Sequence, residues 1–239
     1  SYGDSAINEV IINSKYFNKI INFDEEKGIL TAESGITINE MINFLLPKGW
    51  FLKVTPGTKF ATLGGCIASD VHGKEHHLEG CFSENLINLK LLINKEEVIE
   101  FNSSSHPDLF QATCGGMGLT GFIIEAKIQC KKIKSSNIIF NKKINYSIDE
   151  VFSCFEKYMG STYSVAWLDT KKNKNSFRSI FIHGEFCNKS ELNLFNKSRF
   201  TIPFHIKVIN NLSIKIFNYL YFFWNLLSQK KGKTNYESF

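Results

Sequence analysis

The sequence has no CxxC pair, no dense cysteine framework and no uninterrupted apolar run of the roughly 20 residues that span a bilayer. Its six cysteines (Cys66, Cys81, Cys114, Cys130, Cys154 and Cys187) are widely spaced. In a chain of 239 residues that reads as reduced thiols in a cytoplasmic protein. The most apolar stretch, Ile214 to Leu227, is broken by Lys215, Asn218 and Asn225 and reads as a buried or substrate-lining helix; the other reading is a membrane-surface module using Phe217, Tyr219, Tyr221, Phe222, Phe223 and Trp224 with Lys230 and Lys231. No cationic start followed by an apolar core is visible, so no signal peptide is expected. An excess of one charge is also lacking: 28 Lys and Arg against 23 Asp and Glu give +5. The lysines lie scattered in pairs (Lys131/Lys132, Lys142/Lys143, Lys171/Lys172, Lys230/Lys231), which reads as compositional bias and not as a nucleic-acid surface. With 43% hydrophobic and 21% charged residues, wholesale disorder is excluded. The length allows two modest domains or one large one.

Several chemistries lack their signatures. There is no Walker lysine motif, no HExxH and no GxSxG elbow. His72, His76 and His77 cluster, but no Cys/His pairing accompanies them and Gly73 interrupts any helical register, so no metal is expected. Gly116-Met117-Gly118-Leu119-Thr120-Gly121 matches GxGxxG in letters only. It precedes a strand where the dinucleotide fingerprint follows one.

What is present is alternating β and α segments. Gly28 to Gly35 is a short strand bounded by glycines. Thr37 to Glu40 fits a capping box, and Ile38, Met41, Ile42, Leu45 and Leu46 behind it share one helical face that Pro47-Lys48-Gly49 ends. Phe51 to Val54 reads as a strand, and Asn85 to Phe101 as two strands around a turn near Asn94-Lys95. Ser105 is the expected cap of a short helix opening at Pro107. From Gly121 to Cys130 the residues alternate, with Phe122, Ile124, Ala126, Ile128 and Cys130 on one face. After Lys134 glycines thin out and aromatics crowd in, which places a domain boundary near residue 132.

Pro56 to Gly65, leading into Cys66-Ile67-Ala68, reads as a loop feeding a helix N-terminus. Glycines there let backbone amides approach an anion closely; the other reading is a pair of tight turns.

Three segments in order carry a family resemblance: Ser1 to Ala6, Pro56 to His77 (PGTKFATLGGCIASDVHGKEHH), and Asp108 to Gly121 (DLFQATCGGMGLTG). Together they resemble the FAD-linked oxidases of the vanillyl-alcohol-oxidase fold, in particular the decaprenylphosphoryl-β-D-ribose 2-oxidase branch. The resemblance implies an α+β fold. Residues 1–132 would form a PCMH-type FAD-binding domain of two small α/β subdomains, and residues 133–239 part of a substrate domain with an antiparallel sheet. It implies FAD as cofactor, held by Ser1, Tyr2, Gly3, Asp4, Ser5, Gly57, Thr58, Thr62, Leu63, Gly64 and Gly65, with Ser69, Asp70, Val71 and His72 beside the flavin and Ile123 touching it through its backbone. His72 and Lys74 would face the reacting hydroxyl, with Tyr2 and Trp167 also on the substrate side. Relatives with covalent flavin usually present a histidine in the first loop, where this chain has Tyr2-Gly3-Asp4, so non-covalent FAD is expected.

The activity implied is oxidation of a secondary sugar hydroxyl, with a polyprenylphosphoryl pentose of cell-envelope synthesis as substrate. A sugar-lactone or other alcohol oxidase, and a non-catalytic FAD-fold fragment, are the alternatives. A short-chain reductase would be the partner and the inner-membrane surface a peripheral contact. The chain opens inside the first motif and ends at Phe239, and is read as a fragment of a longer protein.

Overall fold

A computed structural model describes residues 12–169, 177–195 and 210–239. The chain separates into two compact units, one ending at Ile133 and one starting at Lys134.

The first unit is built on an antiparallel sheet. In chain order its elements are β1 (Ile20–Asp24), β2 (Ile29–Glu33), α1 (Ile38–Leu45), β3 (Trp50–Leu52), α2 (Leu63–Ala68), α3 (His76–Glu79), β4 (Leu86–Leu92), β5 (Val98–Phe101), α4 (Pro107–Thr113) and β6 (Phe122–Lys132). The strands run in the order β1-β2-β6-β4-β5, and β3 pairs with the far end of β6. The long β6 is therefore the spine. α1 forms because its capping box closes: Thr37 Oγ1 accepts from Glu40 N at 3.2 Å and the Glu40 carboxylate accepts from Thr37 N at 2.8 Å. Ile38, Met41, Ile42 and Leu45 are buried beneath it. Each such side chain contributes roughly 1.5–3 kcal/mol, so burial outweighs the roughly 1 kcal/mol of a cap.

Two local expectations fail for identifiable reasons. On β6 the inward residues are Ile123, Ala126, Ile128 and Cys130, so Ile123 replaces Ile124. Lys90 pairs with Glu125 but Leu91 with Ile123, and the residue skipped is Ile124. A bulge there shifts the alternation by one and frees the Ile124 carbonyl to accept from Ser34 N at 2.8 Å. Ser105 does not cap α4; His106 holds that position with no side-chain bond. The Asn102 carboxamide accepts from Ser104 N and Ser105 N, and Ser105 Oγ turns back to Asn102 N. An Asx turn has taken the serine.

The second unit is an antiparallel sheet in the order β10-β7-β9-β8, from β7 (Asn137–Asn145), β8 (Tyr163–Leu168), β9 (Ser179–Phe186) and β10 (Lys231–Asn235). It carries α5 (Ile148–Lys157), capped by Ser147, and α6 (Asn211–Leu227), capped by Asn210. The expectation that the aromatic stretch is a buried helix is corrected. Only Phe222 and Asn225 of α6 are buried, while Phe217, Tyr219, Phe223 and Trp224 are exposed. Two asparagines, Asn218 and Asn225, take the inward side, because Asp169 and Lys142 offer them hydrogen bonds.

Candidate functional site

Two helix starts converge on the loop from Thr55 to Thr62. The first amides of α1, Ile38 N and Asn39 N, donate to Ala61 O and Lys59 O, both at 2.9 Å. Thr62 caps α2, accepting from Gly65 N at 3.2 Å. The other leading amides of α2 are also engaged: Leu63 N donates to Ile36 O at 2.8 Å and Gly64 N to Ser34 O at 2.7 Å. The expectation of open amides at Gly64-Gly65 is thus corrected. The open donors lie earlier, at Gly57 and Thr58. Both residues are exposed, and neither N–H has a partner among the described residues. No heavy atom lies within 4 Å of where a Gly57 side chain would start. Ser34 Oγ is buried beside α2 without a hydrogen-bond partner.

The segment after α2 is held from both sides. Asp70 adopts a left-handed φ of 39°. Its carboxylate accepts from Ser83 N at 2.9 Å and Ser83 Oγ at 3.0 Å. The glycine loop after α4 docks on the C-terminal end of α2: Gly115 N donates to Ile67 O and Met117 N to Ala68 O. The Ala68 carbonyl would otherwise be a helix-end orphan, while Ile67 O also accepts from Asp70 N at 3.0 Å. α2 is therefore the hub on which Pro56–Gly65, Ser69–His72 and Gly115–Gly118 meet.

Beyond this hub, His72 is exposed, its ring centroid 5.0 Å from that of His76. Lys74 is half-buried, and burial pushes its ammonium below the ordinary lysine value while Glu75 opposes the shift. Among the described residues, no group of three His, Cys, Asp or Glu side chains is placed to hold a metal ion.

Glu75 is the residue that sequence reasoning missed. It is 1% exposed, accepts from Thr55 N at 2.5 Å and Thr55 Oγ1 at 3.3 Å, and leaves Oε2 buried without a partner. It therefore ties the 72–75 segment to the start of the glycine loop. No spacing rule marks it, since it sits in the run His72 to His77, polar but for Gly73, with no apolar periodicity. Burial raises its carboxyl above 4.5; the Thr55 bonds and Lys131 act against that shift. A carboxyl raised on folding contributes its full stability below the unfolded pKa and loses it as pH rises through the folded one. Glu75→Gln keeps an acceptor for Thr55 N and cannot ionise. The variant should therefore gain thermal stability over wild type as pH climbs from about 4.5, the ordinary carboxyl value. Melting curves from acid to neutral pH check this, and a pH-independent difference would contradict it.

Comparison with known proteins supplies the family. The model of the FAD binding domain matches residues 1–102. Decaprenylphosphoryl-beta-D-ribose oxidase of Mycolicibacterium smegmatis is 34% identical over 174 residues, covering 71% of this chain and 38% of that protein. The chain belongs to the FAD-linked oxidases of the PCMH-type fold. L-galactono-1,4-lactone dehydrogenase 2 of Oryza sativa subsp. japonica is 25% identical over 158 residues, covering 66% of this chain and 26% of that protein. A solved alkyldihydroxyacetonephosphate synthase superposes with a TM-score of 0.59 at 15% identity, over 71% of this chain and 37% of that one. The chain thus spans between about a quarter and two-fifths of these proteins' lengths.

The cofactor of this FAD-linked oxidase fold is FAD, and the geometry fits one. The Gly57-Thr58 amides offer uncharged donors, and Gly65 presents a bare exposed backbone. Thr62 and Leu63 belong to the same helix start, and Ser69 and Val71 to its far end. Ile123 is 5% exposed on β6 at the bulge. Trp167 lies on β8 of the second unit, its ring 5.1 Å from Tyr221. Ser1, Tyr2, Gly3, Asp4 and Ser5 fall outside the described residues.

The two adjacent glycines have different jobs. A side chain at Gly64 would start 2.9 Å from Ser34 Cβ, so this glycine lets α2 pack on the strand end. One at Gly65 would meet only Thr62 Oγ1, at 3.1 Å, and otherwise face outward. Gly64→Val should lower thermal stability by roughly 1–3 kcal/mol through overpacking. Gly65→Val should fold with a smaller loss yet fail to retain flavin, because its branched side chain covers the exposed backbone. Flavin-to-protein ratio and melting temperature, measured together, separate the two. Stoichiometric FAD in Gly65→Val would remove that surface from the cofactor site.

Proposed function

We propose that this protein oxidises a secondary hydroxyl of a sugar, with a polyprenylphosphoryl pentose as substrate. The observation that carries this reading is the reach of the match to decaprenylphosphoryl-beta-D-ribose oxidase. It covers 71% of the chain, more than the 133 residues of the first unit can supply, and so runs into the second. At 34% identity it exceeds the 25–27% of the lactone-oxidising relatives. Sugar-lactone oxidation is the second reading, favoured by the lactone dehydrogenases that match at 66% coverage.

The cofactor is held in this proposal by Gly57, Thr58, Thr62 and Gly65, together with Ser69 to His72 and the Ser1–Ser5 loop. FAD, when bound, supplies a two-electron acceptor for the hydride leaving the carbinol carbon. The residues of the chain do the rest. His72 receives or orients the hydroxyl proton. Lys74, partly shielded from water, binds the phosphate of a lipid-linked sugar; Trp167 and Tyr2 flank the substrate. Asp70 does not act on substrate: both its oxygens bond Ser83 and hold the segment in place. The oxidised sugar would pass to a reductase as partner.

The flavin is proposed to be non-covalent, because Tyr2-Gly3-Asp4 offers no histidine for attachment. Acid precipitation of the purified flavoprotein should leave all flavin in the supernatant. Anaerobic addition of a polyprenylphosphoryl ribose should bleach its yellow band. Bleaching by a sugar lactone alone would favour the second reading, and bleaching by neither would exclude both.

A further inference from the structure

α6 faces the opposite way from an ordinary amphipathic helix. Its inward seam is polar: Asn218 Nδ2 donates to Asp169 Oδ1 at 2.8 Å, and Lys142 Nζ donates to Asn225 Oδ1 at 2.9 Å. These asparagines are seven residues apart and so share one face. Phe222 packs between them, 4.7 Å below the Arg178 guanidinium. On the opposite face Ile216, Leu220, Phe223 and Leu227 recur at i, i+4, i+7 and i+11, with Trp224 beside them. Leu220 is 60%, Trp224 74% and Leu227 85% exposed.

Charge says what covers this face. From Asn210 to Lys231 the chain has no Asp or Glu, and it has three lysines, Lys215, Lys230 and Lys231. Lys215 is exposed on the helix itself, and Lys230 and Lys231 are exposed just past its end. A second copy docking here would bring like charges face to face, which is unfavourable. A partner that is apolar within and anionic at its edge satisfies both features. No described helix is long and apolar enough to cross a membrane. At 17 residues α6 is suited to lying in the interface plane, where amphipathic rings such as Tyr219 and Trp224 sit comfortably.

We propose that α6 docks in plane on an anionic lipid surface. Leu220, Phe223, Trp224 and Leu227 enter the acyl boundary, and Lys215, Lys230 and Lys231 meet headgroup phosphates. This rests on α6 alone and is independent of the substrate reading. It explains why the inward face is the polar one: the apolar face is kept for lipid.

Co-sedimentation with vesicles tests it, using phosphatidylcholine alone and phosphatidylcholine mixed with phosphatidylglycerol. The 239-residue chain should pellet with the anionic vesicles, less so at high salt, and hardly with the neutral ones. Lys230→Ser/Lys231→Ser should weaken partitioning by roughly 10- to 30-fold, the usual effect of two cations near such a surface. Leu220→Ser/Leu227→Ser should abolish it. All four positions are exposed, so both variants should keep the wild-type melting temperature. Absence of vesicle binding, or binding that neither variant reduces, overturns the proposal. So does a sedimenting dimer that Leu220→Ser/Leu227→Ser returns to monomer without any vesicle binding, which would assign the face to a second copy.

Discussion

Asp169→Ala should destabilise the second unit by about 3–5 kcal/mol, the usual loss when one partner of a buried ion pair is removed. Asp169 is 3% exposed and Arg178 7%, and their Oδ2 and Nη2 atoms lie 2.6 Å apart. The same carboxylate holds α6 through Asn218, and the Asp169 amide donates to Arg178 O beside the β8–β9 pairing. Removing it strands a buried guanidinium whose Nε already lacks a partner. Asn218→Ala deletes only one bond to the carboxylate and should cost about 1.5–3 kcal/mol. Asp169→Ala combined with Arg178→Met should recover much of the loss, since an apolar replacement removes the orphan charge. Denaturant unfolding followed by a probe of the second unit measures all three. A loss below about 1 kcal/mol in Asp169→Ala would mean that the guanidinium reaches water, and that the pair is not a structural anchor.

The same network explains why the inward face of α6 is not legible in its sequence while that of α1 is. In α1 the cap and the apolar face are both local, so Thr37, Glu40, Ile38 and Met41 announce the helix and its buried side together. In α6 apolar residues surround the helix, and the orientation is decided by Asp169 and Lys142, which lie 49 and 83 residues away from their asparagine partners. Nothing within the helix encodes those contacts. β6 shows the same limit: its alternation was legible, but the bulge at Ile124 depends on Ser34 and on pairing with β4. At the site, the order of the three glycine motifs was enough to indicate a FAD-binding domain. Which amides remain open was not legible, because Ile36 and Ser34, from the segment before α1, engage the α2 start and leave Gly57 and Thr58 as donors. Glu75 was invisible for a related reason, since its burial comes from Thr55, twenty residues earlier.

In the proposed sugar oxidation, His72→Ala should slow flavin reduction by roughly 10²–10⁴-fold at saturating substrate, the range of general acid–base contributions. The loss should appear in the chemical step when rates are taken per bound FAD, and the fold should be kept, because the exposed His72 ring is no part of the core. Lys74 makes a different demand. An ammonium that binds the substrate anion equally in ground and transition states affects KM alone, so Lys74→Ala should raise KM roughly 10- to 100-fold with kcat nearly intact. Burial lowers the Lys74 pKa, so binding should fade with rising pH sooner than an ordinary lysine would allow, although the bound anion itself opposes that loss. Glu75 sits next to this lysine and raises its pKa, so Glu75→Gln should move the upper limb of the KM profile to lower pH without touching the reduction rate. Rapid-mixing measurements of flavin bleaching, repeated across pH for wild type and the three variants, separate these roles. A His72→Ala enzyme with full FAD and a near-normal reduction rate would leave the exposed ring without a part in proton transfer. If Lys74→Ala lost rate instead of affinity, the proton would have to be sought at the half-buried ammonium.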